Sequence, residues 1–250
     1  MHRFHLPPDQ CHDTELTLTG REAHHGSHVL RIRPGETVVV LDGAGHQYTC
    51  ATIEVARDAI RLGVRNKTFI TPLPCQITLV QAIPKGKIFD SIVQKATELG
   101  VFRIVPLLAE RVVRQFDDRK SAVQLEHWKA IALESIKQCG SAWVPRLEAP
   151  ISPQAFAAEA GTFDLSFIAS LQSDRRHPRA LFKTLRERNQ PEPKSIGVWV
   201  GPEGDFTPEE IAAARSAGAV PITLGPLVLR SDTAAIYCLS ILNYEIQSGW

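Results

Sequence analysis

The chain has 250 residues, with 28 Lys+Arg against 27 Asp+Glu and a formal net charge of +1. Its 44% hydrophobic and 22% charged content is that of an ordinary soluble globular protein, long enough to bury a real core in one or two domains. No window approaches the roughly 18 apolar residues of a membrane span, which excludes an integral membrane protein, and near-neutrality argues against indiscriminate nucleic-acid binding without excluding a local basic patch. The start, Met1-His2-Arg3-Phe4-His5, lacks the apolar run of a secretory signal. Five scattered cysteines with no Cys-x-x-Cys argue against a disulfide framework and a zinc ribbon, and predict a reducing, cytoplasmic setting.

The chain divides near Thr71-Pro72-Leu73-Pro74, where two prolines deny both helix and ladder. Seven of the nine histidines lie before residue 47. That first part, 1–72, reads as short β-branched strands at 37–41, 48–53 and 59–64, separated by turn chemistry such as Asp42-Gly43-Ala44-Gly45. Thr19 with Glu22 reads as a capping box opening one short helix, which Arg33-Pro34-Gly35 stops. The prediction is a small β-barrel-like module.

From 73 to 250, strands alternate with helices. Strand-like runs fall at 76–83, 102–108, 165–169, 196–200 and 220–224, and helix-like runs at 87–99, 121–139, 178–188, 208–217 and 232–247. Ile88, Ile92, Ala96 and Leu99 recur at helical spacing, with Gly100 placed for a C-terminal cap. Such alternation with continuously apolar strands predicts an α/β domain on a parallel sheet.

In open parallel sheets, ligands lie at the carboxyl ends of the strands. Two loops stand there: Gly201-Pro202-Glu203-Gly204-Asp205-Phe206, followed by the capping box Thr207-Pro208-Glu209-Glu210, and Gly225-Pro226-Leu227-Val228-Leu229-Arg230-Ser231-Asp232. Neither matches the dinucleotide fingerprint or the phosphate loop. Glu203 and Asp205 would repel a phosphate and favour a ligand bearing positive charge, of which S-adenosylmethionine is one. Read singly, each loop is equally an ordinary strand-to-helix turn.

The run Asp174 to Arg188 carries six basic residues against two acidic ones, the usual pattern of a solvated helix face. Lys85-Gly86-Lys87 is the better phosphate contact. Glu110-Arg111 reads as a buried ion pair or a substrate clamp. His24 and His28 share a helix face, but nothing near them completes a metal site, so no metal is predicted.

These residues resemble a known family. His24-His25-Gly26-Ser27-His28-Val29-Leu30-Arg31 with Asp42-Gly43, Gln94-Lys95-Ala96-Thr97-Glu98-Leu99-Gly100, Pro106–Arg111, Glu134-Ser135-Ile136-Lys137-Gln138-Cys139-Gly140 and the paired Gly-Pro loops follow the order seen in the bacterial small-subunit rRNA uridine-N3 methyltransferases of the SPOUT superfamily. The resemblance implies a PUA-like RNA-binding β-barrel over 1–72 and a methyltransferase domain over 73–250 with a trefoil knot. It further implies S-adenosylmethionine as methyl donor, a cytoplasmic homodimer, and methylation of N3 of a uridine in the decoding region of 16S rRNA in the small ribosomal subunit.

Carried onto this chain, the resemblance points to Leu171, Gly201, Pro202, Glu203, Gly204, Leu224, Gly225, Leu229, Arg230, Ser231, Thr233 and Ala234 for the donor. It points to His24, His25, Arg31, Arg33, Lys85, Lys87 and Arg111 for RNA. Arg230 is the candidate for stabilising anionic uracil and Asp232 the candidate base, although a place at the start of the last helix explains Asp232 equally well. Asp205 and Leu227 depart from the family pattern, where a glycine and an arginine are usual. They keep two rivals in view: a non-catalytic RNA-binding protein of the same fold, and a methyltransferase for another RNA site.

Overall fold

The computed structural model describes residues 1–111, 118–159, 161–188 and 191–247. They form two compact units, one of residues 1–72 with 133–144 and the other of residues 73–132 with 145 onward.

The first unit is an open, five-stranded half-barrel. Strands β1 (His2–His5), β2 (Glu15–Thr19), β3 (Thr37–Leu41), β4 (His46–Val55) and β5 (Ala59–Phe69) lie in the order β1-β3-β4-β5-β2. β1 runs parallel to β3, and the other pairs are antiparallel. Register shifts at Thr49/Cys50 and Thr52/Glu54 bend β4, as bulges do. In β2 strict alternation sends Leu16 and Leu18 into a core shared with Phe4, Val38, Val40, Ile60 and Leu62. The Asp42 carboxylate ties the β3–β4 turn, accepting N–H bonds from Ala44 at 2.8 Å and His46 at 2.9 Å.

Helix α1 (Gly20–His24) continues into a π-helical turn over His25–Leu30. Gly26 sits at the close approach, since a Cβ there would lie 2.6 Å from Ile60 Cδ1. The capping box read from Thr19 and Glu22 does not form, because the Thr19 side chain makes no cap bond. Glu22 is recruited elsewhere, accepting from the His5 amide at 3.1 Å and from Lys137 Nζ at 2.6 Å. A nearly dehydrated ion pair outcompetes a surface cap.

The second unit holds six parallel strands: β6 (Gln76–Ala82), β7 (Arg103–Leu107), β8 (Arg146–Leu147), β9 (Leu165–Ala169), β10 (Ser195–Val200) and β11 (Val220–Ile222), in the order β11-β9-β10-β6-β7-β8. Helices α2 (Ile88–Glu98), α3 (Asp118–Cys139), α4 (Pro153–Glu159), α5 (Pro178–Glu187), α6 (Pro208–Ser216) and α7 (Ser231–Gln247) connect them. α2 packs on α7, and α4 on α6. The strands are apolar on both faces, with Val80, Val105, Ile168 and Trp199 in one core. Gly100 takes φ +73 just past α2, while Val101 N–H bonds the Ala96 carbonyl at 3.0 Å, as a C-terminal cap requires.

The simple cut at 72/73 gives the end of α3 to the wrong neighbours. Ile136 and Leu133 pack with Val39, Leu41 and Val144 in the first unit. Arg3 Nη1 caps the same helix end, donating to the carbonyls of Lys137 at 3.3 Å and Gln138 at 3.1 Å.

Candidate functional site

Three strand ends meet at one cavity of about 310 Å³. Ser170 and Leu171 come from the end of β9, Gly201, Pro202, Glu203 and Asp205 from the end of β10, and the stretch from Thr223 to Leu229 from the end of β11. Ser231 and Ala234 close it from the start of α7. Carboxyl ends of parallel strands bring several loops to one place while the sheet holds them rigidly, so this is where binding chemistry gathers.

The first Gly-Pro loop is braced from every side. The Asp205 N–H bonds the Pro202 carbonyl at 3.0 Å, closing a turn that leaves Asp205 at φ +60. Aspartate tolerates this left-handed conformation better than most side chains, and here Oδ1 also accepts from the Phe206 N–H at 2.8 Å. A Cβ at Gly201 would stand 3.3 Å from both that oxygen and the Phe206 ring, which explains the glycine. The capping box beyond it is complete. Thr207 Oγ1 accepts from the Glu210 N–H at 3.3 Å and Glu210 Oε2 from the Thr207 N–H at 2.9 Å. The other Glu210 oxygen accepts from the Glu110 N–H at 2.7 Å.

Behind the cavity lies a residue that the sequence reading missed. Gln81, fully buried at the end of β6, donates from Nε2 to the Ala82 carbonyl at 2.8 Å and to Ser231 Oγ at 2.9 Å. Ser231 Oγ in turn donates to the Gly201 carbonyl at 2.7 Å. One amide thus ties the start of α7 to the first loop. A buried amide inside the largely apolar run of β6 is the signal that marks it. Arg175 is the second omission. Hidden in the basic run, it folds back to donate to the Leu171 carbonyl at 2.6 Å and lines the cavity.

Of the twelve residues expected at the donor, the cavity takes in Leu171, Gly201, Pro202, Glu203, Leu224, Gly225, Leu229, Ser231 and Ala234. Gly204, Arg230 and Thr233 stand outside its lining. Arg230 is exposed, between two residues that do line it, and its guanidinium has no hydrogen-bond or ion-pair partner among the described residues. Asp232 Oδ1 accepts from the neighbouring Thr233 N–H at 2.9 Å.

The residues expected at RNA fall in both units. In the first, the His24 and His28 rings stack at 4.5 Å, and His24, Arg31 and Arg33 are exposed. His25 is instead half-buried, its ring edge-on to Phe4, so packing accounts for it. In the second, Lys85 and Lys87 are exposed after β6, and the Lys85 N–H reaches Glu203 Oε1 at 3.4 Å. Of the two readings of Glu110-Arg111, the buried ion pair is not made: both residues are exposed, and Arg111 Nη1 donates instead to the Gly204 carbonyl.

Similarity to known proteins agrees with this architecture. A family model described as an RNA methyltransferase domain matches residues 71–243, and one described as an RNA methyltransferase PUA domain matches residues 18–64. The ribosomal RNA small subunit methyltransferase E of Bacillus subtilis is 30% identical over 233 residues, 93% of this chain and 91% of that protein. This chain belongs to the ribosomal RNA small subunit methyltransferase E family. Two solved structures of similar shape are a Legionella pneumophila protein in complex with S-adenosylmethionine and the Neisseria gonorrhoeae ribosomal RNA small subunit methyltransferase E bound to the same molecule. The first is 30% identical with TM-score 0.84 over 96% of each chain. The second is 27% identical with TM-score 0.83, over 97% of this chain and 96% of that one. Family membership makes the half-barrel a PUA-type module and the parallel sheet a SPOUT-type one.

Proposed function

We propose that the chain transfers a methyl group from S-adenosylmethionine to N3 of one uridine in the decoding region of 16S rRNA in the small ribosomal subunit. The observation that carries the donor assignment is the cavity at the ends of β9, β10 and β11. Leu224, Leu229 and Pro202 give it apolar surface for a purine. Glu203 and Asp205 on one loop and Arg175 on another provide both signs of charge, as a ligand with ammonium, sulfonium and carboxylate groups requires. Family membership and the exposed His24, Arg31 and Arg33 support an RNA substrate.

Bound there, S-adenosylmethionine supplies a methyl group activated by a positively charged sulfur. Backbone groups around Leu171, Gly201, Leu224 and Leu229 hold its adenosine. Arg230, at the rim, stabilises the uracil that has lost its N3 proton, an electrostatic task that needs a cation at short range in a site closed to water. Asp232 accepts that proton. Lys85, Lys87 and Arg111 hold RNA phosphates. The working form is a cytoplasmic homodimer with a trefoil knot, and the partner covers Leu227 and Val228, which are 74% and 76% exposed.

The test pairs binding with transfer. Wild-type protein should take up S-adenosylmethionine in calorimetry and label small-subunit RNA from a radioactive donor. Arg230→Ala should keep donor binding and fold while losing about 10²–10³-fold in transfer. Full transfer by Arg230→Ala removes that residue from the mechanism, and no transfer by the wild type overturns the function.

A further inference from the structure

The cavity carries a charge that its backbone does not require. Asp205 stands at φ +60, a conformation that glycine adopts without cost and other residues rarely take. Its Oδ1 is engaged by the Phe206 N–H at 2.8 Å. Its other carboxylate oxygen has no partner among the described residues, and the residue lines the cavity beside Glu203. Among the described residues the one cation lining the same cavity is Arg175, already donating to the Leu171 and Gln172 carbonyls at 2.6 and 3.3 Å. A carboxylate where glycine would serve the backbone, with one oxygen held by its own turn and the other unpartnered beside the cavity, points to a use for the negative charge.

Resting on the donor reading above, we infer that Asp205 makes the cavity discriminate between charged donor and spent product. Transfer breaks the sulfur–methyl bond, with its electron pair staying on sulfur, and forms the N3–methyl bond; the N3 proton leaves for a base or solvent. The sulfonium thereby becomes a neutral thioether, while the ammonium and carboxylate of the ligand are unchanged. Donor and product then differ by one positive charge. A carboxylate in a partly enclosed cavity attracts the ammonium of both and the sulfonium of the first alone. Asp205 is accordingly a specificity-determining residue that favours exchange of product for fresh donor. Glu203 contributes to the same field, but its Oε1 is partly engaged by the Lys85 N–H at 3.4 Å.

The test is calorimetric titration of the full chain with S-adenosylmethionine and with S-adenosylhomocysteine, at low and high salt. Asp205→Asn preserves shape and the bond to Phe206, and Asp205→Gly suits the backbone. Both should weaken binding of the methionine compound more than that of the homocysteine compound, lowering the preference for the former by about three- to tenfold. The wild-type preference should shrink with salt, and that of the variants, which keep only Glu203, should shrink less. An unchanged preference in both variants overturns the inference while leaving the donor cavity intact. Wild-type protein that binds neither compound overturns the donor reading itself, and this inference with it.

Discussion

The two Gly-Pro loops share a sequence pattern and differ in how they are held. The first is tied at several points, by the 202–205 turn, the Asp205 side chain, the Thr207–Glu210 box and the Arg111 contact to Gly204. The second has the Thr223 hydroxyl bridging the Gly225 N–H and carbonyl, both at 3.2 Å, and then presents Leu227 and Val228 to solvent. Gly-Pro after a parallel strand therefore specifies a turn and not a rigidity. Rigidity comes from what the following residues can bond. In chemical terms the braced loop is a preformed wall, and the looser loop is the one left free to adapt to a partner or substrate.

That contrast can be broken most strongly at Glu210. Its carboxylate is buried and holds the amides of Thr207 and Glu110. Glu210→Ala leaves both donors unpaired and should cost about 2 kcal/mol of stability, read as a lower urea midpoint, with weaker donor binding as the wall loosens. A stability equal to wild type would mean that the bracing is incidental. At the other extreme, Leu227→Ser changes a side chain with little burial in the folded chain. It should move stability by less than about 0.5 kcal/mol, while lowering the fraction of dimer in analytical ultracentrifugation. An unaltered dimer fraction would show that the exposed loop is not where the partner sits.

Much of the second unit was legible because its strands are uninterrupted apolar runs; the run at 165–169 is the strand observed, and the others shift by one or two residues. β1 was hidden because one residue of its four, Phe4, is buried, which leaves no pattern to read. The alternation of β2 was present in Glu15-Leu16-Thr17-Leu18-Thr19 but lies between turns and a helix start. Glu22 misled because local spacing cannot show which distant amide or ammonium will compete for a side chain, and the ion-pair reading of Glu110-Arg111 failed because it cannot show which distant carbonyl will. At the site, the glycines, prolines and leucines announced a pocket. Gln81 and Arg175 depend on strand order and loop reversal, which periodicity does not encode. The division of α3 between units was equally out of reach, since Leu133 and Ile136 read as any helix face until β3 is beside them.

The central claim is that this cavity serves methylation of N3 of a uridine, and one measurement tests it most directly. Small ribosomal subunits lacking the modification are incubated with the protein and S-adenosylmethionine, and the 16S rRNA is digested to nucleosides and fragments for mass spectrometry. The account predicts one N3-methyluridine per RNA, mapped to a decoding-region fragment and visible as a block to reverse transcription, because the methyl group occupies the pairing edge. A methyl group on another atom or another base, or none with the donor bound, would contradict it.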